Sequence, residues 1–468
     1  MYWRAHDGRE QKGFFGKVPC SAFVIKLDYV YFLTTCRLSL TDFYHIEDKE
    51  SEASFARLLK CSPNLSEIYF NVISREMFKS IACHCGPNLR IINAKSIDYD
   101  SRDEVKAIFK VCTNLSVLRD SSQAYLHTPG DEVILTAVQY CPLIEVLPTH
   151  VWHLTDVAMN ALATIHTLKE LKLFDHYESC SSAAIQRVLH SNLLESIDLQ
   201  GSLVDDALVK CMSKYCGSLK RLELTKLEYF GISTEAYVDL FRGCPLLKEC
   251  KLEEPGGMSS EALSALFQFC PNLTSLNLRW YPSDTTQLGH PLVFTPTTTT
   301  STPSLRKLKI YGRCISYNAL RDICTYCINL QKVSLFNCVH VTDDMIKILI
   351  QYCNKLKVIT IGTCDHVTLT GLSFIATYCT TLTGIRLSKL PIDDDVLILL
   401  STYCHNLDVI ALESCEGVIT EVGILSIIHK CMLLTCMRIS CIDLNITPMI
   451  ESLINGEMYT HIDFDIRC

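Results

Sequence analysis

The feature that most limits what this chain can fold into is a text that repeats with a step of 26 residues. Cys327, Leu330, Val333 and Leu335 recur as Cys353, Leu356, Ile359 and Ile361, each 26 positions on. A fixed period of about 20–50 residues marks a solenoid, in which each repeat buries its apolar face against its neighbours. The Cys-to-Cys steps after Cys327 are 26, 26, 25 and 27, the most regular part of the array. The pattern L-x-x-L-x-L sets strand starts at Leu65, Leu89, Leu115, Ile144, Leu168, Leu194, Leu219, Leu247, Leu273, Leu305, Leu330, Leu356, Leu382, Leu407 and Leu434. An imperfect first repeat at Leu33, Cys36 and Leu38 precedes them. Its helix is expected over residues 51–59 with Ser51 as N-cap, after a solvated loop at residues 47–50.

Inside each repeat the periodicity changes. Leu330-x-x-Val333-x-Leu335 alternates in two, as a strand with one buried face must. Thr342 then reads as a helix N-cap, with Asp343 and Asp344 in the first turn, where the helix dipole favours anions. Met345, Ile348, Leu349 and Tyr352 are the expected inward stripe. The same start recurs at Thr155-Asp156, Asp205-Asp206, Ser259-Ser260, Asp393-Asp394 and Thr420-Glu421. Strands sit about 4.8 Å apart whereas packed helices need about 8–10 Å, so stacked repeats curve. The expected fold is an α/β solenoid of about 15–17 repeats. It is a horseshoe with parallel strands on the concave face and helices on the convex face.

Residues 1–32 read as an N-terminal segment, 33–455 as the solenoid, and 456–468 as a degenerate closing strand. One insertion interrupts the array at residues 281–303, where Cys270 and its equivalent Thr302 are 32 residues apart. It is Thr-rich between Pro296 and Pro303. It reads either as a tolerated surface loop, because loop length costs little, or as a flap at the mouth of the horseshoe.

The chain has 26 cysteines, and their placement decides their meaning. Cys61, Cys85, Cys112, Cys141, Cys216, Cys244, Cys270, Cys327, Cys353, Cys379, Cys404 and Cys431 share one repeat position. Such a column acts as small buried hydrophobes, free thiols in a reducing compartment. In the repeat over 165–191, Ile165 and Ser191 stand in for the cysteine. The sharper alternative is metal, since Cys83-His84-Cys85 and Cys404-His405 place potential ligands together. Zinc needs about four convergent ligands, and no C-x-x-C pair has a matching second half. No metal and no cofactor is therefore expected.

Other functions fall away on composition and motif. A net charge of −8 argues against nucleic acid or an anionic membrane surface as partner. Mean hydropathy is positive, yet apolar runs such as residues 396–400 stop far short of the roughly 20 residues of a span. The first residues lack the apolar core of a signal peptide. A soluble cytoplasmic or nuclear protein is expected. No P-loop, dinucleotide fingerprint or H-E-x-x-H motif is present, and Cys404 beside His405 reads as a core residue rather than a nucleophile. The chain reads as a binding protein and not an enzyme.

The pattern C-x-N-L-x-x-L-x-L-x-x-C-x-x-V-T-D-x-x-L, seen over residues 327–346 and again over 353–372, resembles the cysteine-containing leucine-rich repeats of F-box/LRR proteins. The resemblance covers about residues 33–440. It implies a substrate receptor of an SCF-type, cullin-based ubiquitin ligase, acting in ubiquitin-dependent protein degradation. Upstream of the repeats the family carries a helical F-box for the ligase adaptor. The first 22 residues here match neither a repeat nor an F-box. Either the box is missing from this sequence or the protein works without one. A Skp-type adaptor and cullin are expected partners only where an F-box is supplied. The alternative is a stand-alone leucine-rich-repeat scaffold or inhibitor.

In L1-x2-x3-L4-x5-L6-x7 the alternation turns x3, x5 and x7 out of the core. One neighbourhood stands out: Arg279, Lys307, Lys309, Tyr311, Lys332 and Phe336 on three successive strands, with Trp280 and Tyr281 at the rim. Aromatic and Arg side chains dominate interface energetics. The expected partner is an acidic or phosphorylated protein segment, held by Arg279, Lys309 and Lys332 and packed on Tyr311 and Phe336. The plainer reading is a solvated strand surface with scattered charges.

Overall fold

In a computed structural model of the chain, the described residues are 2–4, 10–12, 37–40, 49–97, 101–122, 129–174, 180–201, 204–225, 232–253, 258–280, 304–312, 316–444 and 462–467. They fall into two compact units, Met1–Leu219 and Lys220–Cys468.

In the first unit β1 (Tyr2–Arg4) and β2 (Glu10–Lys12) form an antiparallel pair. Four parallel strands follow in sequential order: β3 (Arg37–Leu40), β4 (Glu67–Ile73), β5 (Ile91–Ile97) and β6 (Val117–Asp120). Helices α1 (Lys49–Lys60), α2 (Arg75–His84) and α3 (Arg102–Val111) return the chain between them. Helices α4 (Asp131–Tyr140) and α5 (Asp156–Leu162) lead to the parallel pair β7 (Glu170–Phe174) and β8 (Ser196–Gln200). Helix α6 (Ser182–Ser191) lies between that pair, and α7 (Asp206–Tyr215) follows it.

The second unit is built on parallel strands paired strictly in chain order. They are β9 (Arg221–Thr225), β10 (Glu249–Glu253), β11 (Ser275–Arg279), β12 (Lys307–Tyr311), β13 (Lys332–Phe336), β14 (Val358–Gly362), β15 (Gly384–Ser388), β16 (Val409–Ile419), β17 (Cys436–Leu444) and β18 (Asp463–Arg467). Between them run α8 (Thr234–Gly243), α9 (Ser260–Phe269), α10 (Tyr317–Tyr326), α11 (Asp343–Tyr352), α12 (Leu369–Tyr378), α13 (Asp394–Tyr403) and α14 (Glu421–Lys430). Strands need less lateral room than helices, so the strand face is the inner side of the unit. The repeat leucines (Leu276, Leu278, Leu308, Leu335 and their equivalents) are almost fully buried between the strand and helix layers.

Two devices lock one repeat to the next. First, the N-cap hydroxyls and carboxylates expected from the sequence accept amide hydrogens of the first turn: Thr155, Asp205, Ser259, Thr342, Asp393 and Thr420 all do so. Each such cap contributes about 1 kcal/mol. The first-turn aspartate then reaches the following repeat. Asp343 accepts from both the Thr368 N–H (2.9 Å) and its hydroxyl (2.6 Å), and Asp394 does the same for Thr420 at 2.9 and 2.5 Å. Gly371 and Gly423 make room, since a Cβ there would lie 2.3 and 2.4 Å from those carboxylates.

Second, the cysteine column is more than apolar filling. The thiol donates to carbonyls of the preceding repeat: Cys141 to Phe109 and Cys112, Cys270 to Phe241 and Cys244, Cys353 to Cys324 and Cys327, Cys404 to Ala376 and Cys379. Sulfur thereby reaches the last-turn carbonyls of Phe109, Phe241, Cys324 and Ala376, of the kind a helix end leaves without an intrahelical partner, and shares the Cys112, Cys244, Cys327 and Cys379 carbonyls with the N–H groups of Leu115, Leu247, Leu330 and Leu382. The described cysteines are free thiols.

Several local expectations need correcting. The first helix begins at Lys49, so Ser51 lies inside it rather than capping it, and Lys49 and Glu50 are helical rather than loop. The inward face of α11 is Met345, Ile346, Leu349 and Ile350; Tyr352 is 43% exposed. The helix is rotated so that Cys353, whose N–H closes the helix on the Leu349 carbonyl, is the residue that reaches the core. At Ile144 no strand forms: Val146 makes a single bridge to Val117, and Pro148 has no N–H to extend it. The Thr149 hydroxyl substitutes for the ladder, donating to the Lys172 carbonyl (2.5 Å) and accepting from its N–H (3.2 Å). Beyond α6 the cysteine's place belongs to Asn192, not Ser191. Its amide donates to the Leu162 and Val188 carbonyls, and its oxygen accepts from the Leu168 N–H.

Candidate binding face

Strand alternation on β11–β15 builds three outward columns, and the pairing register places them side by side. The first runs Ser275, Lys307, Lys332, Val358, Gly384. The second runs Asn277, Lys309, Ser334, Thr360, Arg386, and the third Arg279, Tyr311, Phe336, Gly362, Ser388. Six of the residues singled out in the sequence thus come together: Arg279, Lys307, Lys309, Tyr311, Lys332 and Phe336. β11 and β12 pair residue for residue although residues 281–303 separate them in sequence. That insertion, including Tyr281, lies outside the described residues.

The aromatic part of the face is ordered by backbone shape. The Tyr311 and Phe336 rings stack with centroids 6.2 Å apart and planes 23° apart. Phe336 leans across β14 into the space left by Gly362, where a Cβ would meet its ring at 2.3 Å. Trp280 is half-buried and extends the ladder by donating its N–H to the Tyr311 carbonyl at 2.8 Å. Gly312, at φ +103°, brings its backbone against the Trp280 carbonyl, 2.2 Å from where a Cβ would stand. Any other residue there would be strained twice over, by the left-handed backbone and by the contact.

The cationic part is distinctive because it is unanswered. Lys307, Lys309, Lys332 and Arg386 form no ion pair or side-chain hydrogen bond with another described residue, and all four are exposed. Lys307 and Lys332 are direct register neighbours, an arrangement that is destabilising for like charges. Burial first, and then the positive charges of Arg279, Arg386, Lys307 and Lys251, hold the Lys309 amine below the ordinary lysine value. Arg279 differs from these: it lies 4.0 Å from Glu253 on β10, whose side chain is only 12% exposed. It is therefore an edge to the cationic patch rather than an open charge.

Arg386 and Glu253 lie on this face, and sequence reasoning left both out of the cluster. Arg386 was visible in the second column, but the small residues Ser334 and Thr360 separate it from Lys309 there, and it was not grouped with the lysines. Burial pushes the Cys404 thiol up to about 12, so it stays protonated beside His405. Among the described residues no group of three or more His, Cys, Asp or Glu is arranged to hold a metal ion. No helix of the described residues is long and apolar enough to cross a membrane.

No protein-family model and no curated protein matches the chain. Solved structures match the chain at low identity. The Rad7–Elc1 complex of yeast matches at 15% identity and TM-score 0.43, over 78% of this chain and 92% of that one. A leucine-rich-repeat protein of Leptospira interrogans matches at 13% identity and TM-score 0.37, over 88% and 91%. TLR13 in its complex with ssRNA13 matches at 16% identity and TM-score 0.37, over 94% and 62%. With the 26-residue period and sequentially paired parallel strands alternating with helices, the chain is an α/β leucine-rich-repeat solenoid.

Proposed function

We propose that the chain is a protein-interaction module whose strand face over β11–β13 binds an acidic protein segment. The observation that carries this reading is the set of exposed lysines, Lys307, Lys309 and Lys332, with no acidic partner among the described residues, beside a stacked aromatic pair. A face of that kind offers charge complementarity for orientation and aromatic area for affinity. The repeat text resembles that of F-box/LRR proteins, which makes substrate recognition for a cullin-based ubiquitin ligase the setting we favour. A Skp-type adaptor and cullin then join through an F-box, wherever that box is supplied. No catalytic role is assigned to any residue.

Two measurements test the reading. Charge reversal by K309E together with K332E abolishes binding of a fluorescein-labelled Glu-rich peptide carrying one Phe, with a melting temperature no lower than that of the parent chain. Unchanged peptide affinity in the folded double variant overturns the assignment of the face. Co-purification of the full chain with a Skp-type adaptor and cullin tests the setting separately. Its absence from cells that contain both proteins removes the ligase role and leaves the binding face standing.

A further inference from the structure

We infer that the anion this face reads is the phosphate of a phosphoserine or phosphothreonine in an extended peptide, seated over the Ser334 and Thr360 hydroxyls between Lys309, Lys332 and Arg386. This rests on the proposed function, because it assigns the chemistry of the same face.

The geometry comes from one row of the sheet. Lys309, Ser334, Thr360 and Arg386 are consecutive register neighbours on β12, β13, β14 and β15. At about 4.8 Å per strand the two cations bracket the two hydroxyls across roughly 14 Å of backbone, a span that two long flexible side chains close from both sides. Neither hydroxyl has a hydrogen-bond partner among the described residues, so both are available to a ligand oxygen. Lys332 stands two residues before Ser334 on the same face of β13. Its counterpart before Arg386 on β15 is Gly384, which has no side chain to fill the row. Among the described residues the position is thus walled by cations and floored by hydroxyls.

Charge distinguishes phosphate from carboxylate here. Lys307, Lys309, Lys332 and Arg386 present four positive charges with no acid among the described residues to answer them. A carboxylate brings one negative charge, whereas a phosphomonoester brings about −1.5 to −2 and three acceptor oxygens at neutral pH. Those oxygens match an Arg fork, lysine amines and two hydroxyls together. That Lys309 is influenced by Arg386 from three strands away agrees with the two side chains serving one site.

The aromatic pair then sets the spacing of the peptide. Tyr311 and Phe336 lie one alternation beyond Lys309 and Ser334 on the same strands, two residues or about 6.6 Å further on. An extended ligand has the same two-residue step. An apolar side chain two positions from the phosphorylated residue therefore reaches the rings while the phosphate occupies the row. The chain's net charge of −8 opposes a long polyanion, which favours a peptide with one local phosphate over a nucleic-acid backbone.

The test measures fluorescence anisotropy of the full chain with labelled Gly-Gly-pSer-Gly-Phe-Gly, its Ser and Glu twins, and an oligouridylate of similar length. The phosphopeptide is expected to bind about tenfold or more tighter than either twin, the scale of one lost charge-assisted contact. R386Q is expected to erase that margin while leaving the Glu twin within about twofold, since Arg386 engages the phosphate and not the peptide as a whole. F336A is expected to weaken all three peptides by the same factor. Equal affinity for the phosphorylated and Glu peptides, both lost in K309E/K332E, overturns phosphate recognition but keeps the acidic-segment reading. Failure of every peptide to bind, or binding indifferent to K309E/K332E, overturns both. Tighter binding of the oligouridylate than of the phosphopeptide replaces the peptide with a nucleic-acid ligand.

Discussion

On β9, β10 and β11 the outward side chains answer one another across the strands. Arg221 pairs with Glu249 at 3.3 Å and lies 3.8 Å from Glu223; Glu223 accepts Lys251 at 3.2 Å; Glu253 meets Arg279 at 4.0 Å. On β12 and β13 the equivalent positions hold Lys307, Lys309 and Lys332, with Arg386 two strands on, and no described acid faces them. The backbone is the same in both regions, five-residue strands paired in parallel and in register. The difference therefore lies entirely in side chains that the fold does not need. A repeat array can use an outward position to stabilise its own sheet or leave it to a partner. The adjacent regions of this unit illustrate the first use and, on the function proposed above, the second. Like charges kept in register at a cost, where the neighbouring strands show how easily they are neutralised, point to a demand other than stability.

The largest effect on this contrast comes from breaking the answered side. E223K puts a lysine between Arg221 and Lys251 on a half-buried part of the sheet, removing two ion-pair contacts and adding two like-charge ones. It lowers unfolding stability by about 1–2 kcal/mol, the sum of modest terms for exposed and half-buried pairs. Urea unfolding reads this directly. A shift no larger than for a lysine introduced on an outer helix face shows that the cross-strand pairs contribute nothing.

The mirror experiment gives a smaller change of opposite sign. K332E sets an acid beside Lys307 in register and next to the Lys309 strand, so it raises stability by about 0.2–1 kcal/mol. The same variant impairs binding. Gain of stability with loss of binding is the behaviour of a surface kept unsatisfied for a ligand. A K332E chain that is less stable than the parent shows instead that the lysine is already neutralised from outside the described residues.

How far this contrast could be read from the sequence depends on which periodicity governs each residue. The three outward columns were legible because a strand repeats every two residues and the leucines fix the phase. Lys309 and Phe336 needed no coordinates to be placed. Helical positions were less legible: an apolar run such as Ile346, Ile348, Leu349 and Ile350 fits more than one inward stripe, and the cysteine thiol's bond to the preceding repeat decides the phase. Asn192 and Thr149 were hidden because each replaces a role with a different chemical group, an amide for a thiol and a hydroxyl for a backbone N–H. The Arg279–Glu253 contact was hidden for a further reason. It depends on where two flexible side chains settle across a strand pair, and the register limits that choice without making it.

The finest test of the contrast is titration. Lys309 has its amine held below the ordinary value, first by burial and then by Arg279, Arg386, Lys307 and Lys251. An unperturbed lysine titrates at 10.5, a value the unfolded chain approaches. As pH rises through the lowered folded value, the folded chain releases the Lys309 proton before the unfolded chain does. The unfolded state then binds more protons, and stability rises with pH over the window that ends near 10.5. On the β9–β11 side Lys251 is paired with Glu223. K309Q therefore flattens the alkaline rise relative to the parent chain, whereas K251Q, which removes only the smallest of the charges acting on Lys309, keeps most of it. The measurement is a series of urea midpoints at increasing pH on the two variants and the parent. An alkaline slope that is unchanged in K309Q, or lost equally in K251Q, removes the claim that β12 and β13 carry an uncompensated charge that β9–β11 do not.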